Sequence, residues 1–212
     1  QGVSSAASDV YKRQVIEQGA VGGIPLLDFA FGCASNAEAF VASPHQFIYF
    51  QGGGFNCSLL SFLEVGADGS VNVSRLSATP HRTAGAGGFV DITSRARKIV
   101  FSGTFNAGAK MRLENGRLVI EREGRIPKFV PKVDQVSFSG KRAIAQGQEI
   151  TYVTERCVIK LLKNGLTITE IAPGLDMQRD ILDQAATALQ VAKDVKQMDQ
   201  RLFQPYPIGL SL

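Results

Sequence analysis

The chain has 212 residues, 44% hydrophobic and 20% charged, which suits one domain of ordinary size with its own core and excludes a disordered chain. Its net charge of +4 is mild, and its Lys and Arg residues are scattered, so nucleic-acid binding has no support. No run approaches the roughly 18 apolar residues of a membrane span. Nothing resembles a secretory signal, and Cys33, Cys57 and Cys157 have no metal-like spacing, which argues for reduced thiols in a cytoplasm and against a zinc site.

The first segment, "QGVSSAASDVYKRQ", shows no periodicity continuous with the residues after it. Its end, "DVYKRQ", is what GAT-GTG-TAT-AAG-AGA-CAG encodes, which resembles a transposon end used in preparing sequencing libraries. Residues 1–14 are therefore set aside as adaptor-derived. The natural sequence is expected to begin near Val15 and to continue a longer protein.

Glycine turns and short apolar runs alternate through residues 15–130. "VIEQGAVGGIP" (15–25) takes two apolar residues to a single acid, Glu17, and then into a glycine loop. "NAEAFVA" (36–42) is expected to be a short helix with Asn36 as its N-cap. "QFIYF" (46–50) and "KIVFSGTF" (98–105) are continuous apolar runs, as expected of strands buried on both faces. "DGSVNVS" (68–74) reads as a turn and then a strand.

Two hairpins are expected next. "AKMRLENGRLVIERE" alternates on either side of Asn115-Gly116, and "RCVIKLLKNGLTITEI" does so around Asn164-Gly165. Asn-Gly between alternating runs is the strongest short-range hairpin signal. "QVSFSG" (135–140) and "EITYVTE" (149–155) add two expected strands. Beyond Pro173-Gly174, "DMQRDILDQAATALQVAKDVKQMD" reads as helical with Asp176 as cap, in one helix or in two because the apolar period slips near Ala185–Ala188. The fold class is α/β.

Three glycine clusters stand out: Gly19/Gly22/Gly23, Gly52-Gly53-Gly54, and Gly85/Gly87/Gly88 in "GAGGFVDI". Consecutive glycines let backbone N–H groups point into a cavity, to cradle a phosphate or hold an oxyanion. Each cluster also has an ordinary reading as turn chemistry. None is a P-loop, since no Gly-Lys-Ser/Thr comes after it, and "GAGGFV" lacks dinucleotide-binding spacing.

Six segments appear in a fixed order: "EQGAVGGIP", "QFIYFQGGG", "FLEVGADGSVNVS", "GAGGFVDIT", "KIVFSGTFNAG" and "TEIAPGLDMQRDIL". Together they resemble the C-terminal, catalytic-glutamate half of family I coenzyme A transferases, especially the single-chain acyl-CoA:acetate/3-ketoacid type. The resemblance covers residues 15–185. It implies an open sheet with flanking helices, as in the sugar-phosphate isomerase and CoA-transferase group. It also implies that residues 15–212 form the C-terminal domain of a two-domain enzyme of short-chain fatty acid and ketone body metabolism.

The family's catalytic residue is a glutamate, often in Ser-Glu-Asn-Gly. That maps to Glu17, with Gln18 at the Asn position, Gly19 after it, and Ile16 where Ser is common. The implied mechanism is ping-pong through a glutamyl-CoA thioester, with coenzyme A as co-substrate and no resident cofactor or metal. By resemblance the backbone amide of Gly87 is the oxyanion donor. Gly85, Gly88, Asn72, Thr104 and Asn106 border the CoA cleft, and the Gly22-Gly23 turn packs against CoA or a partner domain. The implied partners are an acyl-CoA, a carboxylic acid, an N-terminal domain and further copies in a homo-oligomer.

Other residues have plainer readings. Glu114 in "LENG" mimics the family's Glu-Asn-Gly but sits in a hairpin, where exposed acids are routine. Asn72, Ser74, Thr104 and Asn106 also read as strand-end polar residues, and Lys98 and Arg95 as a solvated face. His45 and His81 lie beside prolines without a partner pattern. Glu155 and Glu170 carry no assigned role. Two other functions stay open: a non-catalytic sensor of a phosphorylated ligand on the same fold, and a chain inactive without its N-terminal half.

Overall fold

The computed structural model describes residues 14–26, 30, 32–53, 55–75 and 85–206. The expected adaptor segment through residue 13, Gly54 and His81 lie outside them.

A six-stranded mixed sheet organises the chain, in the order Gln190–Gln197, Gly165–Ile171, Cys157–Leu162, Glu149–Val153, Lys98–Ser102 and Cys57–Ser61. The last three are mutually parallel. Parallel neighbours need crossovers, and helices supply them. Helix α2 (Phe89–Arg95) lies between Cys57–Ser61 and Lys98–Ser102, and α3 (Gly140–Ala145) between Lys98–Ser102 and Glu149–Val153, while α1 (Ser43–Gln51) leads into the first of the three strands. The expected α/β class, an open sheet with flanking helices, is what forms. In Lys98–Ser102 only one face is fully buried, through Ile99 and Phe101; Val100 and Ser102 are half-buried.

The core is aromatic. Phe101 stacks on Phe89 of α2 at 5.7 Å and on Tyr152 at 5.5 Å, and meets Phe138 edge-on at 5.2 Å. The buried Tyr152 hydroxyl donates to the Gly69 carbonyl at 2.6 Å. Burial, reinforced by the Asp68 charge, pushes that phenol far above its ordinary pKa.

Both expected hairpins form, but their turns differ. Glu114 pairs with Arg117, so Asn115 and Gly116 are the turn, both at positive φ (51° and 73°), as a type I′ turn demands. In the second hairpin Leu162 pairs with Gly165, so the turn residues are Lys163 and Asn164 and Gly165 opens the next strand. The expected strand at 149–155 is present as Glu149–Val153, and the expected turn lies before Val71–Asn72.

Four expectations are corrected. Residues 46–50 lie in α1, not in a strand: Pro44 opens the helix, Gly52 closes it, and Gln46 and Phe50, four apart, are the buried positions. Residues 36–42 form no helix; Asn36 takes φ 56° in a turn, and Ala39–Phe40 pairs with Ala20–Val21. "QVSFSG" contributes a single bridge, Val71 to Phe138, before Ser139 caps α3.

The fourth correction is the C-terminal helix. Asp176 does cap it, accepting from the Arg179 N–H at 2.8 Å, but α4 ends after one turn (Met177–Asp180). The Ala186 N–H donates to the Phe129 carbonyl at 3.0 Å, which takes the chain out of helical register. Residues 190–197 then pair in parallel with Gly165–Ile171 as an edge strand. Its exposed Lys193, Asp194 and Lys196 guard that edge against further pairing.

Candidate functional site

Glu17 stands at the tip of a tight turn. Ile16 N–H donates to Ala20 O at 2.8 Å and Gly19 N–H to Ile16 O at 2.9 Å. Gly19 is at φ 105°, and a Cβ there would lie 2.1 Å from the Val41 carbonyl oxygen, so only glycine allows this approach. The turn is thereby seated on the strand Ala39–Phe40 and its continuation.

The seating carries the acid across to α2. Glu17 Oε1 accepts from the Gly88 N–H at 2.7 Å. Gly88 is the N-cap of α2, so the carboxylate lies where helix amides are unsatisfied. Two neighbours of that contact must be small. A Cβ on Gly87, whose φ is 52°, would come 2.7 Å from Glu17 Oε1, and one on Gly88 would come 2.3 Å from the Phe47 ring and 3.2 Å from Glu17 Cγ. No ion pair to Glu17 forms within 4.0 Å among the described residues. The Gly87 N–H likewise has no partner among them.

Phe89, next to Gly88, stacks on Phe101 near the end of its strand. The start of α2, and Glu17 with it, therefore lies toward the carboxyl ends of the parallel strands, where α/β sheets bind ligands. Gly103 and Thr104 continue from that strand, and Thr104 is exposed.

The other expected site residues fall into different surroundings. Gly85 is exposed at φ 79° with open space where a Cβ would stand. Asn72 is fully buried; its amide donates to Glu64 at 2.8 Å and its Oδ1 accepts from the Ser74 N–H at 3.0 Å. Its polar atoms hold the local turn. Asn106 is buried and donates to the Gln184 carbonyl at 3.3 Å, while its Oδ1 lacks a partner among the described residues. The structure thus brings together Glu17, Gly87 and Gly88. Asn72 and Asn106 spend their hydrogen bonds on other partners, not on these three. Glu114, Lys98, Arg95 and His45 are exposed, with Glu114 at the hairpin as expected.

Four residues without an expected role shape this region. Phe47, hidden when 46–50 reads as a strand, borders Glu17; the helix signal was Ser43-Pro44 before the run and Gly52-Gly53 after it. Glu155 Oε2 accepts from the Phe105 N–H at 2.9 Å and so fixes the loop containing Thr104. Its neighbour Arg156 is wholly buried, forked onto Glu123 at 2.7 and 3.0 Å and bonded to the Asp180 carbonyl at 2.8 Å. Lys128 lies 4.5 Å from the Phe62 ring centroid. Burial draws its ammonium down to about 8, opposed by the Glu155 charge.

Caffeate CoA-transferase of Acetobacterium woodii is 43% identical over 209 residues, spanning 94% of this chain and 40% of that protein. Acetate CoA-transferase YdiF of Escherichia coli strain K12 is 39% identical over 198 residues, spanning 93% and 37%. Over nearly all of its length the chain is homologous to these coenzyme A transferases. The crystal structure of acyl-CoA transferase YdiF from E. coli O157:H7 superposes on this chain with a TM-score of 0.84 at 38% identity, covering 92% of it and 37% of the YdiF chain. Glutaconate coenzyme A-transferase from Acidaminococcus fermentans shares the fold, with a TM-score of 0.65 at 15% identity over 92% of this chain and 77% of the other. No protein-family model matches. The chain spans about two-fifths of the length of the curated relatives it matches.

Among the described residues, no helix is long and apolar enough to cross a membrane. Among the same residues, no group of three or more His, Cys, Asp or Glu side chains is placed to hold a metal ion.

Proposed function

We propose that this chain supplies the nucleophile for coenzyme A transfer between an acyl-CoA and a free carboxylic acid of the acetate or 3-oxoacid class. The observation that carries the reading is the Glu17 carboxylate, held by one backbone N–H and free of any cation among the described residues.

A Glu17 oxygen attacks the thioester carbonyl of the acyl-CoA. The carbonyl electrons move to oxygen and return as the C–S bond breaks, leaving a glutamyl–acyl anhydride and CoA thiolate. The thiolate attacks the glutamyl carbonyl and expels the first carboxylate, which leaves a glutamyl-CoA thioester. A second carboxylate reverses these steps and departs as its CoA ester. One thioester replaces another, so neither ATP nor a metal is called for.

Carboxylates are weak nucleophiles in water, and activation comes from desolvation and aimed donors. The Gly88 amide orients the resting carboxylate. The Gly87 amide, unpaired among the described residues, is the donor for the tetrahedral oxyanion. A cation beside Glu17 would instead neutralise the nucleophile. The relative YdiF has been crystallised as a thioester complex with CoA, which supports the same intermediate here.

On this reading the chain is the C-terminal, catalytic-glutamate domain of a two-domain enzyme, works with an N-terminal domain in a homo-oligomer, and is cytoplasmic. Its free Cys33, Cys57 and Cys157 suit such a reducing compartment. The test restores the missing part, incubates the enzyme with acetyl-CoA, and seeks CoA on the peptide containing Glu17 by mass spectrometry. An adduct that persists in Glu17→Ala refutes the assignment.

A further inference from the structure

The Lys128 ammonium sits among residues that end all three mutually parallel strands. Its nitrogen lies 4.5 Å from the centroid of Phe62, the residue after Cys57–Ser61. A Cβ on Gly103, the residue after Lys98–Ser102, would stand 3.2 Å from the same nitrogen. The Glu155 charge that acts on it stands just past Glu149–Val153. Open α/β sheets bind ligands at this end, and the Glu17 turn lies toward it as well.

The surroundings hold the lysine there. Its carbonyl accepts from the Val65 N–H at 2.7 Å, and the next residue, Phe129, is fully buried with its ring edge-on to Phe62 at 5.8 Å. Glycine at 103 leaves the amine its room, since a Cβ there would also come 3.0 Å from the Phe62 ring. The outcome is a half-buried cation on an aromatic face, with no carboxylate within 4.0 Å among the described residues. Glu155 is the charged group that acts on it, and both Glu155 oxygens are already engaged. One accepts from the Phe105 N–H at 2.9 Å and the other from Arg156 Nε at 3.3 Å.

Buried lysines are ordinarily paired. An unpaired one gives up its proton readily, which is how proteins turn an amine into a nucleophile. Burial draws this ammonium from 10.5 down to about 8, so at pH 8 about half of the amine is free. For an unperturbed lysine the free share at that pH is about one in three hundred. A less basic nucleophile is intrinsically weaker, which takes back part of the advantage.

We propose that Lys128 is a self-acylation site, whose amine takes the acyl group directly from an acyl-CoA. The neutral nitrogen attacks the thioester carbonyl carbon. The carbonyl electrons move to oxygen and return as the C–S bond breaks. An amide C–N bond replaces the thioester, CoA leaves as its thiolate, and the proton lost by nitrogen passes to that sulfur. An amide does not hand its acyl group back to a thiol, so the product accumulates. The proposal rests on the reading that acyl-CoA comes to this chain, and not on Glu17 as the nucleophile.

The test incubates the restored enzyme and its Glu17→Ala variant with acetyl-CoA at about pH 7, 8 and 9. Peptide mass spectrometry follows acetylation of Lys128 and of the exposed Lys141 and Lys163, together with CoA on the Glu17 peptide. In both proteins Lys128 should be acetylated about tenfold faster than the two exposed lysines at pH 8, with its rate levelling off above that pH.

Lys128 acetylated no faster than Lys141 and Lys163, in enzyme that forms the Glu17–CoA adduct, overturns the proposal and leaves the transferase reading intact. Acetylation of Lys128 that vanishes in Glu17→Ala makes the Glu17 intermediate the donor and overturns the direct route. Fast acetylation of Lys128 in both proteins, with no CoA on Glu17 in either, supports the proposal and counts against the transferase reading. A Lys128 rate that climbs in parallel with the exposed lysines through pH 9 also refutes it.

Discussion

Two sets of carboxylates in this chain are treated in opposite ways. Glu123 and Glu155 both engage the wholly buried Arg156, with oxygens at 2.7 and 3.3 Å from its guanidinium, and the second oxygen of Glu155 takes the Phe105 amide. Glu17 receives one neutral N–H, from Gly88, and no cation among the described residues. A carboxylate that builds structure is neutralised and saturated. On the proposed function Glu17 must attack a carbonyl, which calls for spare lone pairs, so the protein only aims it.

The strongest way to break the comparison is to remove the acid that is left unsaturated. In the restored enzyme, Glu17→Ala should lower kcat by about 10³-fold or more, because the covalent route is lost. Its melting temperature should stay within about 2 °C, since Glu17 carries no ion pair of the fold. An unfolding scan beside steady-state kinetics separates the two effects. Arg156→Ala should do the reverse. Breaking a buried pair costs about 3–5 kcal/mol, read as a lower denaturation midpoint.

Gly87→Ala tests the aim. A Cβ there would stand 2.7 Å from Glu17 Oε1 on a backbone at φ 52°, so the N–H that alanine retains is pushed out of line with the carboxylate. An oxyanion donor out of place should cost up to as much as a lost one, about 10²–10³-fold in kcat. Single-turnover kinetics of adduct formation should show that loss with the hairpins and sheet intact by circular dichroism.

The smallest effect is expected at Lys128, the cation that Arg156 is not: half-buried, over Phe62, with no carboxylate within 4.0 Å among the described residues. Its ammonium is held down to about 8 from 10.5. Between those values the unfolded chain binds the proton that the folded chain has released, so stability from this group rises as pH increases from 8 to 10.5. Below pH 8 the folded state carries the full penalty of the desolvated charge. Lys128→Met should therefore raise the melting temperature at neutral pH and flatten its rise across that window. Melts taken at about pH 7, 9 and 10.5 check this, and an unchanged slope refutes it.

Much of the fold was legible locally. Asn115-Gly116 reads as a hairpin because both residues tolerate positive φ, and Asp176 reads as a cap because its carboxylate reaches a free N–H three residues on. Glu17 stood out through the family resemblance that the ordered segments carry, not through its own tripeptide, since "LENG" at Glu114 is the nearer mimic. The failures share one cause. Short apolar runs fit a helix or a strand equally well, as 46–50 shows. The helix-like run at 185–197 had no local reason to become a strand, and the contacts that made it one are long-range: Ala186 to Phe129, and an edge pairing with Gly165–Ile171.

By itself, then, the sequence determined the α/β class, the hairpins, the Asp176 cap and the candidate acid. The first three depend on residues within a turn of one another or on hydrophobic patterning, and the acid on the resemblance that the ordered segments carry. Only the tertiary structure decided that Gly88 grips the Glu17 carboxylate and that Phe47 packs beside the same glycine. Glu17 and Gly88 lie 71 residues apart, and a hydrogen bond at 2.7 Å between them exists only because Gly19 seats its turn on Val41 while α2 stacks Phe89 on Phe101.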